Sequence, residues 1–274
     1  MIAIEDFKDI KYEKEENGIC TITINRPERR NALSPITFLE LAAAFDHMER
    51  DDDIKVVVLT GNQDGNAFSS GAYVSPKIAS EMTPEIRKLL DPTDKSSKNM
   101  ARKIFDFPKP IVAAVNGLAI GGGITMLLIG ADLIYASENA YLGFYFVQNA
   151  FMSEFASTFL LPLYLGFQRA KEIIYYGKKI LAQEALELGL VNKVLPLNEL
   201  VPFAREQALK LIAPKAPGLS IKLMRKAMHA MFKDQIYKIL DIENDGYTIL
   251  MSKPDVGIAM SARLKKTEPK FKGE

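Results

Sequence analysis

An α/β fold with a helical C-terminal part is the fold class that the sequence predicts. Short apolar strand patterns alternate with helical patterns in the first half of the chain, at residues 55–60, 111–115 and 133–136. Such alternation indicates right-handed β-α-β crossovers and a mainly parallel sheet. From about Ser153 onward the pattern is mostly helical, with breaks at Gly166, Gly177 and residues 214–218. We therefore expect an α/β core over residues 1–200 and a helical region over residues 201–274.

The N-terminal elements carry turn and capping signals. Residues 10–13 and 19–25 are β-rich runs joined by Asn17-Gly18, which is typical of a hairpin. Ser34-Pro35 is typical of a helix start, because serine caps the first turn and proline fits its first position. A polar, partly helical segment is expected over residues 81–107.

Composition and charge exclude several partners. The 274 residues include 35 basic and 34 acidic side chains, so the formal net charge is +1 and nothing draws the chain electrostatically to nucleic acid or an anionic membrane. The single cysteine, Cys20, permits no internal disulfide. Glu5 and Asp6 interrupt the apolar stretch that a signal peptide needs, so we expect a cytoplasmic protein.

The uncharged run over residues 110–131 is long enough to span a bilayer. It contains Asn116-Gly117 and then glycines 121 to 123, and each glycine weakens a helix by about 1 kcal/mol relative to alanine. We therefore predict a buried strand, a turn and a buried helix rather than a membrane span.

Glu154 is the only charged side chain between residues 139 and 168. If it is buried, desolvation raises its pKa towards neutrality, as a general base requires. A second interpretation places it at a helix N-terminus after a Ser153 cap, where a carboxylate is stabilised by the helix dipole. The residues alone leave both interpretations open.

The glycine-rich turn after the strand at 111–115 is a candidate ligand loop. Free backbone N–H groups at a helix start attract negative charge, and glycines 121 to 123 let a ligand approach closely. Nucleotide binding is an alternative, since Glu138 lies roughly where a ribose-binding acid would. The spacing is not G-x-G-x-x-G, however, and no Gly-Lys-Ser/Thr follows. Close helix–sheet packing would also explain the glycines.

Other catalytic arrangements find no support in the sequence. Ser69 and Ser70 lie just beyond a strand end but lack the G-x-S-x-G form of a nucleophile elbow. The only histidines, His47 and His229, lie in helical stretches, and no His/Cys/carboxylate grouping has metal-ligand spacing. We expect no metal site, and any catalysis must use a carboxylate, backbone amides and shape.

Five segments, taken in order, carry a family resemblance. They are Ile24-Asn25-Arg26-Pro27-(x)3-Asn31-Ala32-Leu33, Phe68–Ala72, Val115–Gly123, Asp132–Ala136 and Ala185-Leu186-(x)2-Gly189-Leu190-Val191-Asn192-Lys193-Val194. Together they resemble the crotonase (enoyl-CoA hydratase/isomerase) superfamily. The first resembles its adenine-proximal segment, and the second and third resemble its two oxyanion loops. The likeness extends from about residue 8 to the end.

The resemblance implies a spiral of β-β-α turns with a helical C-terminal trimerisation region. It implies a homotrimer or dimer of trimers that binds an acyl-CoA thioester, with CoA as part of the substrate and no separate cofactor. Backbone N–H groups carried over to Ala72 and Gly122 would hold the thioester oxygen, and losing one such donor typically costs roughly 10²–10³ in rate. Further expected substrate-binding residues are Arg30, Ala32, Ser69, Ser70, Gly71, Tyr73, Gly121, Thr125, Phe146, Phe151, Phe155 and Lys272.

The carboxylates select among the family's reactions. Hydratases of the family carry two glutamates, which fall at Thr125 and at about Phe146 in this chain, so two-glutamate water addition is unsupported. Isomerases of the peroxisomal type, which convert 3-enoyl-CoA to 2-enoyl-CoA, lack both and place one glutamate at a position matching Glu154. We therefore expect Glu154 to move a proton from C2 to C4. Phe146, Phe151 and Phe155 are the expected walls of a dry acyl pocket, and Arg30 and Lys272 the expected contacts of the CoA phosphates.

Two other functions stay open. Another crotonase reaction with one carboxylate, such as hydration, C–C hydrolysis or decarboxylation, would use the same enolate. A non-catalytic acyl-CoA-binding trimer would leave Glu154 as a helix cap. One departure bears on all of these, because many relatives have Gly-x-Asp in the first oxyanion loop where this chain has Gly71-Ala72-Tyr73. We expect Tyr73 to alter the loop or helix that follows it.

Overall fold

The computed structural model describes residues 2–73, 78 and 82–274. Within these residues two β-sheets are packed with helices, so the predicted α/β class is confirmed. The polar segment expected over residues 81–107 contains helices at Pro84–Leu89 and Lys98–Asp106. Its first residue, 81, lies outside the described residues, as do residues 74–77, 79 and 80.

The larger sheet is built mainly from buried parallel strands. Its six strands are β1 (Ile10–Lys14), β2 (Ile19–Ile24), β3 (Val56–Gly61), β5 (Ile111–Val115), β7 (Leu133–Ser137) and β10 (Lys193–Leu195), and they lie in the order β1-β2-β3-β5-β7-β10. β1 and β2 pair antiparallel, which confirms the hairpin, and the other neighbours pair in parallel. β3 and β5 are buried along their whole length, as expected for parallel strands covered on both faces.

A smaller sheet, which the sequence does not predict, lies beside the larger one. Its strands are β4 (Ala67–Ser69), β6 (Leu118–Ile120), β8 (Tyr141–Gly143) and β9 (Lys179–Leu181), in that order. β4, β6 and β8 are parallel, and β9 is antiparallel to β8. Each strand has three residues, which is too short to show an alternating pattern.

Strand pairs that follow each other in the chain form the expected spiral. In the pairs β3–β4, β5–β6 and β7–β8, the first strand enters the larger sheet and the second enters the smaller sheet. Helical segments then lead to the next pair. The expected spiral of β-β-α turns is therefore confirmed, and it brings the ends of β4, β6 and β8 together at one edge.

The helices whose bounds the structure describes pack against these sheets and against each other. They are α1 (Pro35–Arg50), α2 (Pro84–Leu89), α3 (Lys98–Asp106), α4 (Gly122–Gly130), α5 (Ser157–Leu165), α6 (Phe167–Tyr176), α7 (Ala182–Glu187), α8 (Leu197–Leu209), α9 (Gly218–Ala230), α10 (Lys233–Met251) and α11 (Pro254–Lys265). The predicted start of α1 is confirmed, because Ser34 Oγ accepts a hydrogen bond from Thr37 N at 3.0 Å and Thr37 Oγ1 accepts one from Ser34 N at 2.9 Å.

Helix α8 spans the predicted boundary between residues 200 and 201. Its buried Leu200, Ala204 and Ala208 belong to the same apolar cluster as Val56 and Val112 of the larger sheet. The division into a core and a helical region stays a prediction, but this helix belongs structurally to the sheet.

The uncharged run over residues 110–131 folds as β5, β6 and α4, joined by tight turns. This arrangement confirms the predicted strand, turn and helix. In the described part of the chain, no helix combines the length and the apolar character needed to cross a membrane.

Candidate active site

A cavity of about 500 Å³ lies at the carboxyl ends of β4, β6 and β8. Ser70–Ala72 follow β4, Gly121 and Gly122 follow β6, and Tyr145 and Phe146 follow β8; all of them line the cavity. A larger cavity, of about 960 Å³, lies where β2, β3 and β5 begin. Ligands of parallel α/β sheets bind beyond the carboxyl ends of the strands. The smaller cavity is therefore the candidate active site.

The first loop of the site is held in a fixed shape by its own hydrogen bonds. Ser69 Oγ accepts from Gly71 N at 3.1 Å, and Ser70 N donates to Arg30 O at 3.0 Å. Gly71 has φ +82°, and a Cβ there would lie 2.7 Å from Ile120 O, so only glycine fits. This close approach packs the first loop directly against the second.

The backbone of Ala72 directs its N–H group away from the neighbouring chain. Leu33 N donates to Gly71 O and Tyr73 N donates to Leu33 O, both at 2.8 Å, so Leu33 forms a parallel bridge with Ala72. In such a bridge the flanking residues make the hydrogen bonds, and the N–H of the bridged residue points to the opposite side. Over residues 2–73, 78 and 82–274, the Ala72 N–H has no acceptor.

The second loop supplies another unused amide. Gly121 N donates to Gly143 O at 2.9 Å, and α4 begins at Gly122. The first N–H groups of a helix have no partner within it, and among the described residues Gly122 N has none elsewhere. Ala72 and Gly122 both line the cavity, so the predicted pair of amide donors is brought to one site.

Glu154 lies at the same site and is 9% exposed. A Cβ placed on Gly122 would be 2.8 Å from Glu154 Oε1, so the carboxylate lies directly over the second amide loop. Among the described residues no group donates a hydrogen bond to this carboxylate. Burial, then the negative charges of Glu243 and Asp94, raise the pKa of Glu154 to about 8.

The interpretation of Glu154 as a helix cap is wrong. Helix α5 begins only at Ser157, and Ser153 pairs with that residue through a hydroxyl–hydroxyl hydrogen bond of 2.5 Å. Glu154 therefore precedes both the helix and its N-cap residue, Ala156, and its side chain caps no helix.

The cavity wall contains both aromatic and basic residues. The aromatic residues are Tyr141, Tyr145, Phe146, Phe151 and Tyr247, and the rings of Phe151 and Tyr247 stack with centroids 5.4 Å apart. The basic residues are Arg29, Arg30 and Arg263. Phe146, Phe151 and Arg30 thus lie where the sequence places them, together with Ser70, Gly71 and Gly121.

Several expected contact residues lie away from the cavity wall. The Phe155 ring is fully buried beneath it, with its centroid 6.0 Å from that of Phe38. Thr125 Oγ1 is buried and donates to Gly121 O at 3.1 Å, and Ala32 O accepts from Arg26. Ser69 supports the first loop from behind. Lys272 is exposed near the chain end, where its backbone N donates to Asp255 at 2.7 Å.

Tyr73 also lies outside the cavity wall but contacts the segment beside it. The guanidinium carbons of Arg26 and Arg29 lie 4.5 and 5.5 Å from the centre of the Tyr73 ring. Such cation–π contacts stabilise each arginine by about 0.5–2 kcal/mol. Tyr73 therefore orients an arginine of the cavity wall, Arg29. The expected effect on the loop or helix after Tyr73 concerns residues that lie outside those described.

The cavity wall also contains residues that the sequence does not predict, namely Arg29, Arg263, Tyr141, Tyr145, Asn149 and Tyr247. Arg263 and Tyr247 belong to α11 and α10, far along the chain from the loops that they face. No local motif connects them to the site. The sequence therefore carries no signal for these two residues.

The fold and site define a crotonase: two backbone amides and a buried carboxylate meet at the carboxyl ends of short parallel strands. The family model described as "Enoyl-CoA hydratase/isomerase" matches residues 14–274, and the chain belongs to this family of enzymes.

Two curated relatives and one solved structure illustrate the range of this family. A 1,2-epoxyphenylacetyl-CoA isomerase of Escherichia coli (strain K12) is 29% identical over 265 residues, covering 94% of this chain and 97% of the relative. A short-chain-enoyl-CoA hydratase of Clostridium acetobutylicum is 33% identical over 253 residues, covering 92% and 94%. The structure of an enoyl-CoA hydratase/isomerase from Pseudoalteromonas atlantica T6c has a TM-score of 0.84 at 29% identity, covering 96% of this chain and 100% of that one.

Proposed function

We propose that the enzyme moves the double bond of a 3-enoyl-CoA to C2, with Glu154 as its only proton-transferring side chain. One observation carries this proposal: among the described residues that line the cavity, Glu154 is the only carboxylate. Addition of water with two glutamates needs a second carboxylate. Where such glutamates would stand, the chain has the buried Thr125 and the apolar Phe146.

In the proposed reaction, the Glu154 carboxylate takes a proton from C2 of the substrate. The electron pair of that C–H bond spreads over a dienolate, and the negative charge on the thioester oxygen is held by the Ala72 and Gly122 N–H groups. The protonated Glu154 then returns the proton to C4, and the double bond forms between C2 and C3. One base suffices because C2 and C4 belong to a single allylic system. The reaction needs no resident cofactor, since CoA is part of the substrate.

Burial of Glu154 suits this role. An ordinary carboxylate is a weak base, whereas a pKa near the working pH favours both removal and return of a proton. Phe146, Phe151 and Tyr247 give the cavity wall an aromatic part that suits an acyl chain. Such a wall reduces the water available to trap the dienolate or to add to the product.

The pH profile follows from the raised pKa of Glu154. The free enzyme must carry an ionised Glu154, so kcat/KM for 3-hexenoyl-CoA should fall on the acid side with a midpoint near pH 8 rather than near 4.5. Because Glu154 interacts with Glu243, this midpoint describes the coupled pair. Initial rates between pH 5 and pH 10 check the prediction. A plateau that extends down to pH 6 would contradict it.

The arginines of the cavity wall suit the CoA phosphates, and we predict that Arg30→Ala weakens substrate binding. A hydrogen bond to a charged group stabilises by roughly 1.5–3 kcal/mol, so KM should rise about tenfold or more with little change in kcat. Initial rates over a range of 3-hexenoyl-CoA concentrations separate the two constants. Lys272→Ala is the control, because Lys272 is exposed and away from the cavity. An equal effect of both variants, or an effect on kcat alone, would contradict the assignment.

Hydration is the second candidate, because the chain is 33% identical to a short-chain-enoyl-CoA hydratase. With one carboxylate, the same site would have to activate water and protonate C2 with a single group. Incubation of the native enzyme with 3-hexenoyl-CoA tests the first step of our proposal. Accumulation of the conjugated 2-enoyl thioester, followed by its absorbance, is the expected result. No change in the bound acyl-CoA would contradict it and favour a binding function.

We also propose a homotrimer or a dimer of trimers. Exposed apolar side chains on α9, among them Leu219, Leu223 and Met228, support an assembly that covers this helix. Light scattering of the native chain tests this proposal. The mass of a trimer or a hexamer is expected, and the mass of a monomer would contradict it.

A further inference from the structure

Glu243 is a second buried glutamate near the site, and the proposed mechanism leaves it without a role. It lies on α10 and is 0% exposed. Glu243 Oε2 accepts a hydrogen bond from Ala156 N at 2.7 Å. Glu243 Oε1 accepts from Thr158 N at 3.0 Å and from Thr158 Oγ1 at 2.7 Å. All three donors belong to the start of α5, so Glu243 caps that helix from a distant part of the chain.

The capped segment has an unusual backbone shape. Phe155 and Ala156, the two residues after Glu154, have φ values of +58° and +55°. Side chains with a Cβ rarely adopt this left-handed conformation, and each instance costs on the order of 1–3 kcal/mol unless the surroundings enforce it. This corner turns the Phe155 ring into the core, and the Glu154 carboxylate to Gly122 in the cavity. The direction of the base therefore depends on what holds the corner.

We propose that Glu243 is a positioning residue for Glu154: its cap on α5 holds the Phe155–Ala156 corner, and the corner holds the base beside Gly122. This inference rests on the proposed function, because it needs Glu154 to act as the base. Glu243 is not among the described residues that line the cavity, so it positions the base through the loop that it holds.

The charge of Glu243 adds a second effect. The groups whose charges act on Glu154 are Glu243 and Asp94. Tyr247 of α10 also lies close to Glu154, and burial and then the charge of Glu154 raise the pKa of Tyr247. Burial raises the pKa of Glu243 to about 7, although its three hydrogen bonds favour the ionised form. An ionised Glu243 disfavours ionisation of Glu154. Removing that charge should therefore lower the pKa of Glu154 and move the acid limb of kcat/KM to lower pH.

The test compares Glu243→Gln with the native enzyme on 3-hexenoyl-CoA. An amide keeps one acceptor oxygen but places an NH₂ group against a donor, so the cap is broken on one side. A displacement of about 1 Å far from the chemistry can cost about 10²-fold, and we expect a loss of that order in kcat with KM little changed. The acid limb should move to lower pH. The control is Asp245→Asn, which makes the same change at an exposed position of the same helix.

A second variant, Thr158→Val, keeps the test decisive if Glu243→Gln does not fold. It removes one of the three donors and leaves the charge of Glu243 in place. We expect kcat to fall roughly tenfold while the acid limb stays where it is. A purely structural role would lower the melting temperature of either variant but leave kcat and the pH profile of the folded enzyme unchanged.

The inference would be overturned if Glu243→Gln kept both the native kcat and the native pH profile. If that variant does not fold, a native kcat in Thr158→Val would overturn it. The proposed function would survive that result, since it is judged on the native enzyme and on Glu154→Gln. If the native enzyme does not isomerise 3-hexenoyl-CoA, or if Glu154→Gln does so unimpaired, the proposed function fails and the inference fails with it.

Discussion

Replacing Glu154 with glutamine should lower kcat for 3-hexenoyl-CoA by about 10³-fold, near the middle of the range that a general base contributes. Glutamine fills almost the same volume, so the cavity and its amide donors keep their shape. Its amide oxygen cannot accept the C2 proton, and no other carboxylate lines the described part of the cavity. KM should change little, because the proposed CoA and thioester contacts lie on other residues.

The matched control is Glu138→Gln, which makes the same change at an exposed glutamate outside the cavity. It should isomerise at the native rate. Loss of less than tenfold in Glu154→Gln, or equal losses in both variants, would show that Glu154 is not the base.

The same substitution should also raise stability at alkaline pH. The folded-state pKa of Glu154, about 8, lies above its ordinary value of 4.5, so the folded state binds more protons than the unfolded state in this window. The free energy of unfolding then falls as pH rises from 4.5 to about 8. Glutamine removes that loss. Urea unfolding should show Glu154→Gln more stable than the native chain at pH 9, with the difference shrinking towards pH 4.

Replacing Gly122 with alanine should lower kcat/KM by about 10²–10³-fold, the typical cost of losing one oxyanion donor. The new Cβ would lie 2.8 Å from Glu154 Oε1 and 3.5 Å from Leu33 Cδ1. The carboxylate must then move away, and the methyl group occupies the space beside the second amide. Stability should be nearly unchanged, because the contact is with the movable end of a side chain and alanine favours a helix.

Gly218→Ala is the matched control, since Gly218 also begins a helix and a Cβ there meets nothing within 4 Å. Melting temperatures of both variants should stay close to that of the native enzyme, and only Gly122→Ala should lose activity. Native kcat/KM in Gly122→Ala would contradict the placement of the base over the second amide loop.

The elements that the sequence predicts are those with strong local signals. β3 and β5 are continuous apolar runs, and α1 carries both its serine cap and its proline. The smaller sheet has strands of three residues, whose pairing depends on partners elsewhere in the chain. Its order could not be predicted from local pattern, although the family resemblance implied two strands in each turn of the spiral.

The site is predicted in part for the same reason. Glu154 stands out as the only charge in a long apolar stretch, and glycines 121 to 123 mark the amide loop. The corner at Phe155 and Ala156 could not be predicted, because nothing in those residue types favours positive φ. That corner turns Phe155 into the core instead of the cavity. The cap from Glu243 depends on the packing of α10 against α5, which no short motif records.

The measurement that tests the single-carboxylate mechanism most directly is the ratio of two rates on one preparation of native enzyme. One is the isomerisation of 3-hexenoyl-CoA, and the other is the addition of water to 2-hexenoyl-CoA, with both products identified by mass. We predict that isomerisation is faster by at least about 10²-fold, the lower end of what a positioned acid–base group contributes. Hydration as fast as isomerisation, with formation of a 3-hydroxyacyl-CoA, would contradict a site built for proton transfer within the substrate.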